Sequence, residues 1–152
     1  MAEPAPSFMA AARPFAGRTG AGIRVAVIDS GVHPGHPHID AGRIAPGVMI
    51  LPNGAIVAEP GATLDRLGHG TAVTAALQEK APGATCIPVR VFRDSLKASA
   101  IALVAAIRWA IENGAGIVNL SLGSVNPAHQ TAFGAVARQA REAGVLLVAA
   151  RE

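Results

Sequence analysis

The chain has 152 residues and a net charge of +3, and it is 51% hydrophobic but only 15% charged. That length is one domain with room for a sizeable core; so lean a surface, against a soluble average of about 25% charged residues, implies apolar area meant to be covered by something else. The 13 Lys and Arg are scattered and aromatic residues make up 3%, so neither a phosphate track nor a base-stacking platform is visible and nucleic acid is not an expected partner. No apolar run approaches the ~20 residues of a membrane span, so no membrane contact is expected. The start, with Glu3, Pro4, Pro6 and Pro14, has neither the basic opening nor the apolar segment of a secretion signal. The expected compartment is the cytoplasm. Cys86, alone in the chain, fits a reducing environment and reads as a buried, inert thiol, because no base adjoins it.

In chain order, residues 1–20 form an irregular arm and residues 21–152 the domain. Ile23 to Ile28 reads as a buried strand, and residues 32–47, punctuated by Pro34, Pro37 and Pro46, as loop with at most a turn of helix. Val48–Leu51 and Ala55–Val57 flank Pro52-Asn53-Gly54 as a hairpin. A helix is expected from His69 to Lys80, stopped by Pro82-Gly83. Thr85 to Phe92 is the next strand, interrupted at Pro88. Ser95 is the expected cap of a long helix, Leu96 to Asn113, with Leu103, Val104, Ile107, Ala110 and Ile111 on one face. Ile117 to Leu122 is a strand, Ala128 to Ala143 a helix with Arg138, Arg141 and Glu142 solvated, and Val145 to Ala150 a last strand. Trp109 and Phe133 read as packing residues. Strands alternating with helices give a parallel α/β sheet with right-handed crossovers.

Two junctions could carry chemistry. Val25-Ala26-Val27-Ile28-Asp29-Ser30-Gly31 is an apolar run that delivers a carboxylate to the carboxyl edge of a sheet, although such an Asp can simply cap the next turn. Gly68-His69-Gly70-Thr71 opens a helix with glycines on both sides of the imidazole, which lets backbone or substrate approach it closely; the alternative is a His that caps the helix. A base needs a fixed tautomer, and a buried carboxylate on its far nitrogen supplies one. His33, His36 and His38 could bind zinc, but without a further ligand at standard spacing they read as a polar loop beside a cleft. Asn119 reads as a structural or cleft-lining hydrogen bonder.

Ile23 to Pro37 together with Asp65 to Val73, followed by Arg108-Trp109-Ala110-Ile111, Ile117 to Gly123 and Gly144 to Ala150, resembles the subtilisin-like serine proteases (subtilases, peptidase S8). The resemblance runs over residues 20–150, with the motifs in the family's order. It implies a doubly wound, mainly parallel α/β fold, of which only the amino-terminal half is expected here. It also implies that Asp29 orients the imidazole, that His69 is the general base, and that Ser121, Leu122 and Gly123 pair with a peptide substrate's backbone.

The sequence departs from the family in several places. Its Gly-Thr-Ser nucleophile segment is absent from these 152 residues, as is the oxyanion asparagine, and the resemblance puts none of Ser30, Ser121 and Ser124 at the nucleophile. The insertion that helps secreted members bind calcium is missing, since Gln78 leads directly to Lys80-Ala81-Pro82-Gly83. His38 stands where those members often carry an Asp ligand. No metal and no cofactor is therefore expected. Three functions compete: one component of a split endopeptidase whose Ser and oxyanion donors sit on a second polypeptide, a fragment of a longer subtilase, or a non-catalytic module that binds peptides or a partner. An intact Asp29 and His69, with everything downstream missing together, favours the first two over the third.

Overall fold

Among the described residues, nine helices and strands position the site. The computed structural model describes residues 15–121 and 127–150. In chain order the elements are β1 (Arg24–Asp29), β2 (Val48–Ile50), β3 (Ile56–Val57), α1 (His69–Lys80), β4 (Thr85–Arg90), α2 (Ala100–Glu112), β5 (Ile117–Leu120), α3 (Gln130–Glu142) and β6 (Leu146–Ala149), with short 3-10 turns at Ala41–Arg43 and Pro127–His129. The strands make one sheet in the order β3-β2-β4-β1-β5-β6. Every pairing is parallel except the β2–β3 hairpin, as the alternation of strands and helices predicts.

β1 is buried on both faces because helices cover both. On one side Val25, Val27 and Cys86 pack under Val73 and Leu77 of α1. On the other, Ala26, Ile28, Ile87 and Val89 pack with Leu103, Ala106 and Ile107 of α2 and Val136 of α3. Each fully buried Val, Leu or Ile among them contributes about 1.5–3 kcal/mol. The chain leaves β1 toward β4 on one side and returns through α2 to β5 on the other, so the crossovers diverge at the carboxyl end of β1. Open α/β sheets bind ligands at such a divergence.

Three expectations are corrected. β4 runs unbroken through Pro88, in register with β1 from Arg24–Thr85 to Asp29–Arg90. The Cys86 carbonyl accepts from Ala45, so Pro88, two residues on, turns its missing N–H toward the same side. There it meets Pro46-Gly47, between the isolated Ile44–Cys86 bridge and the start of β2 at Val48, where the ladder needs no donor. Helix α2 begins at Ala100 rather than Leu96, and its cap is Ser99, whose hydroxyl accepts from Ala102 N–H at 3.0 Å. The same hydroxyl donates to the Pro52 carbonyl at 2.6 Å, a tertiary bond that Ser95 does not make. The third helix starts as a 3-10 turn, and α3 proper begins at Gln130.

Helix α1 keeps its expected limits. Trp109 and Phe133 pack partly buried against the core, and Arg138, Arg141 and Glu142 are exposed. Cys86 is buried and free, and burial pushes its thiol pKa up. Among the described residues no helix is long and apolar enough to cross a membrane.

Candidate active site

Asp29 is the last residue of β1, and its side chain alternates onto the α1 face with Val25 and Val27. It is fully buried, so its oxygens need donors, and three supply them. His69 Nδ1 lies 2.9 Å from both carboxylate oxygens. The Ser30 N–H donates to Oδ1 at 2.7 Å, and the Ser121 hydroxyl, one residue past β5, donates to Oδ2.

His69 opens α1, and its side chain is 42% exposed, with Nδ1 turned inward to Asp29. In the neutral ring that bond assigns the proton to Nδ1 and leaves Nε2 as a free acceptor facing outward. Among the described residues Nε2 has no hydrogen-bond partner. The pair is therefore a base with a fixed tautomer and an open face.

The segment before His69 is held by a residue to which the sequence reading assigned no role. Asp65 accepts from the N–H groups of Leu67 and Gly68, each at 2.9 Å. It also accepts from Thr71 N–H at 3.0 Å, the Thr71 hydroxyl at 2.5 Å and the Ser30 hydroxyl at 2.8 Å. Burial raises its carboxyl pKa, but hydrogen bonds from Thr71, Gly68, Leu67 and Ser30 outweigh that and hold it below its ordinary value. Ser30 Oγ in turn accepts from Gly70 N–H at 2.8 Å. Gly70 is packed so closely on Gly31 that a Cβ there would overlap the Gly31 carbonyl oxygen. The Asp four residues before the His was the available signal, but its partner Ser30 lies 35 positions away.

Of the five expected site residues, Asp29, His69 and Ser121 come together at the carboxyl edge of β1 and β5. Leu122 and Gly123 lie outside the described residues, as does Ser124. The described serines that flank the site already use their hydroxyls, Ser30 between Asp65 and Gly70 and Ser121 on Asp29. Asn119 is half-buried in β5, between Val27 and Val148 in register.

A cleft of about 980 Å³ lies between α1 and the loop of His33, His36 and His38, but His69 does not line it. It adjoins the segment that carries His69, since Asp65, Gly68 and Thr71 are among its lining residues. His36 Nδ1 accepts from the backbone of His38 at 3.1 Å, so one of its nitrogens is occupied. Gln78 closes the far end, exchanging hydrogen bonds with the Asp40 backbone at 2.8 and 3.0 Å. Among the described residues no three His, Cys, Asp or Glu side chains gather as a metal would require.

The sequence model of the subtilase family matches residues 20–151. Subtilisin Savinase from Lederbergia lenta is 36% identical over 143 residues, which is 88% of this chain and 49% of that protein. Subtilisin E from Bacillus subtilis (strain 168) is 32% identical over 143 residues, 88% of this chain and 35% of that protein. The crystal structure of the nisin leader peptidase NisP from Lactococcus lactis superposes with a TM-score of 0.69 at 22% identity, over 87% of this chain and 44% of that one. A cold adapted subtilisin-like serine proteinase gives 0.65 at 24% identity, over 87% and 47%. These two structures show the shared fold. The chain spans half or less of the length of the relatives it matches, and it belongs to the subtilase family of serine proteases.

Proposed function

We propose that the chain contributes the acid and base of an Asp-His-Ser serine endopeptidase, and that a second polypeptide supplies the serine and the oxyanion donors. The observation that carries this reading is the Asp29–His69 pair, with Nδ1 at 2.9 Å from a buried carboxylate and Nε2 open. In the completed site Nε2 takes the proton of the incoming serine hydroxyl as its oxygen attacks the peptide carbonyl. His69 then returns that proton to the leaving amine, and Asp29 holds the tautomer and stabilises the imidazolium. The substrate's backbone pairs with Ser121, Leu122 and Gly123. A complementing chain has somewhere to sit, because Leu146 and Val148 on β6, the end strand of the described sheet, are 59% and 42% exposed.

A second reading, in which the serine lies in a further part of the same polypeptide, is favoured by the 49% of subtilisin Savinase that the chain spans. Immunoblotting of source cells separates the two. A band at 15.3 kDa supports the two-chain form, and only a longer band supports the continuous one. For the two-chain form, the chain is co-expressed with the product of the adjacent reading frame, purified by a tag on one partner and assayed on a peptide library. Hydrolysis and fluorophosphonate labelling are expected in the mixture only. Labelling of the chain alone at Ser30, Ser121 or Ser124, dependent on His69, would overturn the assignment of the nucleophile to another segment. The proposed compartment is the cytoplasm, which cell fractionation checks.

A further inference from the structure

We infer that Asp65 is a positioning residue for His69, setting the strand-to-helix offset on which the Asp29–His69 contact depends. This deepens the reading of His69 as a general base and rests on it. Asp29 and His69 belong to different elements, 40 residues apart, and nothing in either element alone fixes their separation. Asp65 ties the two together. On the helix side it takes the N–H groups of Leu67, Gly68 and Thr71 and the Thr71 hydroxyl. On the strand side it takes the hydroxyl of Ser30, the residue after Asp29.

A helix cap needs only the first set of bonds. Gly68 is left-handed and offers no side-chain cap to α1, so capping is one part of what Asp65 does, and a negative charge at a helix start is favourable in any case. Capping does not require a bond to β1. Here the Ser30 hydroxyl donates to Asp65 and accepts from Gly70, so one carboxylate holds residues on both sides of His69 against the end of β1. Bonds to an ionised acceptor are short and strong, and the tight Gly70–Gly31 approach transmits any slip of the helix directly to the strand. The Thr71 hydroxyl carries the tie one step further by accepting from His33 N–H at 3.0 Å.

The test reads the tautomer of His69. With histidine nitrogens labelled, long-range nitrogen–proton correlation spectra of the full chain give the ratio of the Nδ1–H to the Nε2–H form. Asp65→Asn removes the charge and replaces one acceptor oxygen with a donor amide. It is expected to lower that ratio at His69 about tenfold, the equivalent of weakening one well-made hydrogen bond, with His36 and His38 unchanged. Ser30→Ala leaves the four helix-side donors on Asp65 and cuts its link to the strand, together with the Gly70–Ser30 bond. It is expected to move the ratio the same way, and it carries the test if Asp65→Asn does not fold. A ratio unchanged within twofold in either folded variant would overturn the proposal and leave Asp65 a helix cap. The readout needs no serine, so it stands or fails separately from the peptidase reading, which the mixing assay decides.

Discussion

His69 Nδ1 lies 2.9 Å from both oxygens of the fully buried Asp29 carboxylate. A symmetric contact of this kind fixes the plane of the ring as well as its tautomer, and it leaves Nε2 pointing away from the core. Asp29→Asn keeps the shape but can turn an amide N–H toward Nδ1, which favours the wrong tautomer. In the two-chain enzyme proposed above, kcat is expected to fall about 10⁴-fold, the cost of the wrong tautomer in such a triad, with copurification of the second polypeptide unchanged. His69→Ala should lose activity by orders of magnitude as well. A loss of less than tenfold in Asp29→Asn would mean that Asp29 does not orient the base.

Part of this arrangement was legible in sequence and part was not, for physical reasons. α1 was bounded correctly because its start, Gly68-His69-Gly70, and its stop, Pro82-Gly83, are local backbone punctuation. The choice of Ser99 over Ser95 as the α2 cap was not legible, since both precede the apolar stretch and the bond from Ser99 to the Pro52 carbonyl spans 47 residues. Pro88 misled because its cost depends on which neighbour its missing N–H faces, a property of the sheet rather than of the strand. Asp29 and His69 stood out by motif. The Asp65–Ser30 tie did not, because neither residue signals a partner that far along the chain.

The Asp65 carboxyl titrates below its ordinary 3.8 in the folded chain, so folding stability must depend on acid. The unfolded chain binds the proton first as pH falls, so the contribution is fully present above 3.8 and is lost as pH drops through the folded value. Thermal unfolding from pH 7 down to pH 2 should therefore show the parent chain more stable than Asp65→Asn near neutrality. The gap should narrow once the pH passes below 3.8. A gap independent of pH would show that the charge on Asp65 contributes nothing.

Gly70 admits no side chain, because a Cβ would overlap the Gly31 carbonyl oxygen and sit 3.0 Å from the Gly31 nitrogen. Both contacts are backbone, so relief requires α1 to move off β1. Gly70→Ala is expected to destabilise the chain by about 1–3 kcal/mol, the usual cost of overpacking, measured as a lower urea midpoint at unchanged slope. In the two-chain enzyme proposed above it should also lower kcat, because the same displacement lengthens the Asp29–His69 bond. A wild-type midpoint would show that helix and strand separate without cost.

Leu146 and Val148 point to the same face of β6 and are the most exposed large aliphatics of that strand. Exposed positions of this kind contribute little to the chain's own stability, so Leu146→Glu with Val148→Glu should leave its unfolding free energy within about 0.5 kcal/mol of the parent. If a second polypeptide covers this face, the outcome in the assembly is different. Two carboxylates would be buried there without partners, at a cost of several kcal/mol, and every 1.4 kcal/mol is about tenfold in affinity. Copurification and the activity of the mixture should then fall at least about 100-fold, a loss that raising the concentration of the partner reverses. Arg138→Glu, on the exposed side of α3, is the control that should leave assembly intact. Undiminished assembly with both glutamates in place would show that the complementing chain does not dock on β6, and the two-chain reading would lose the surface on which it stands.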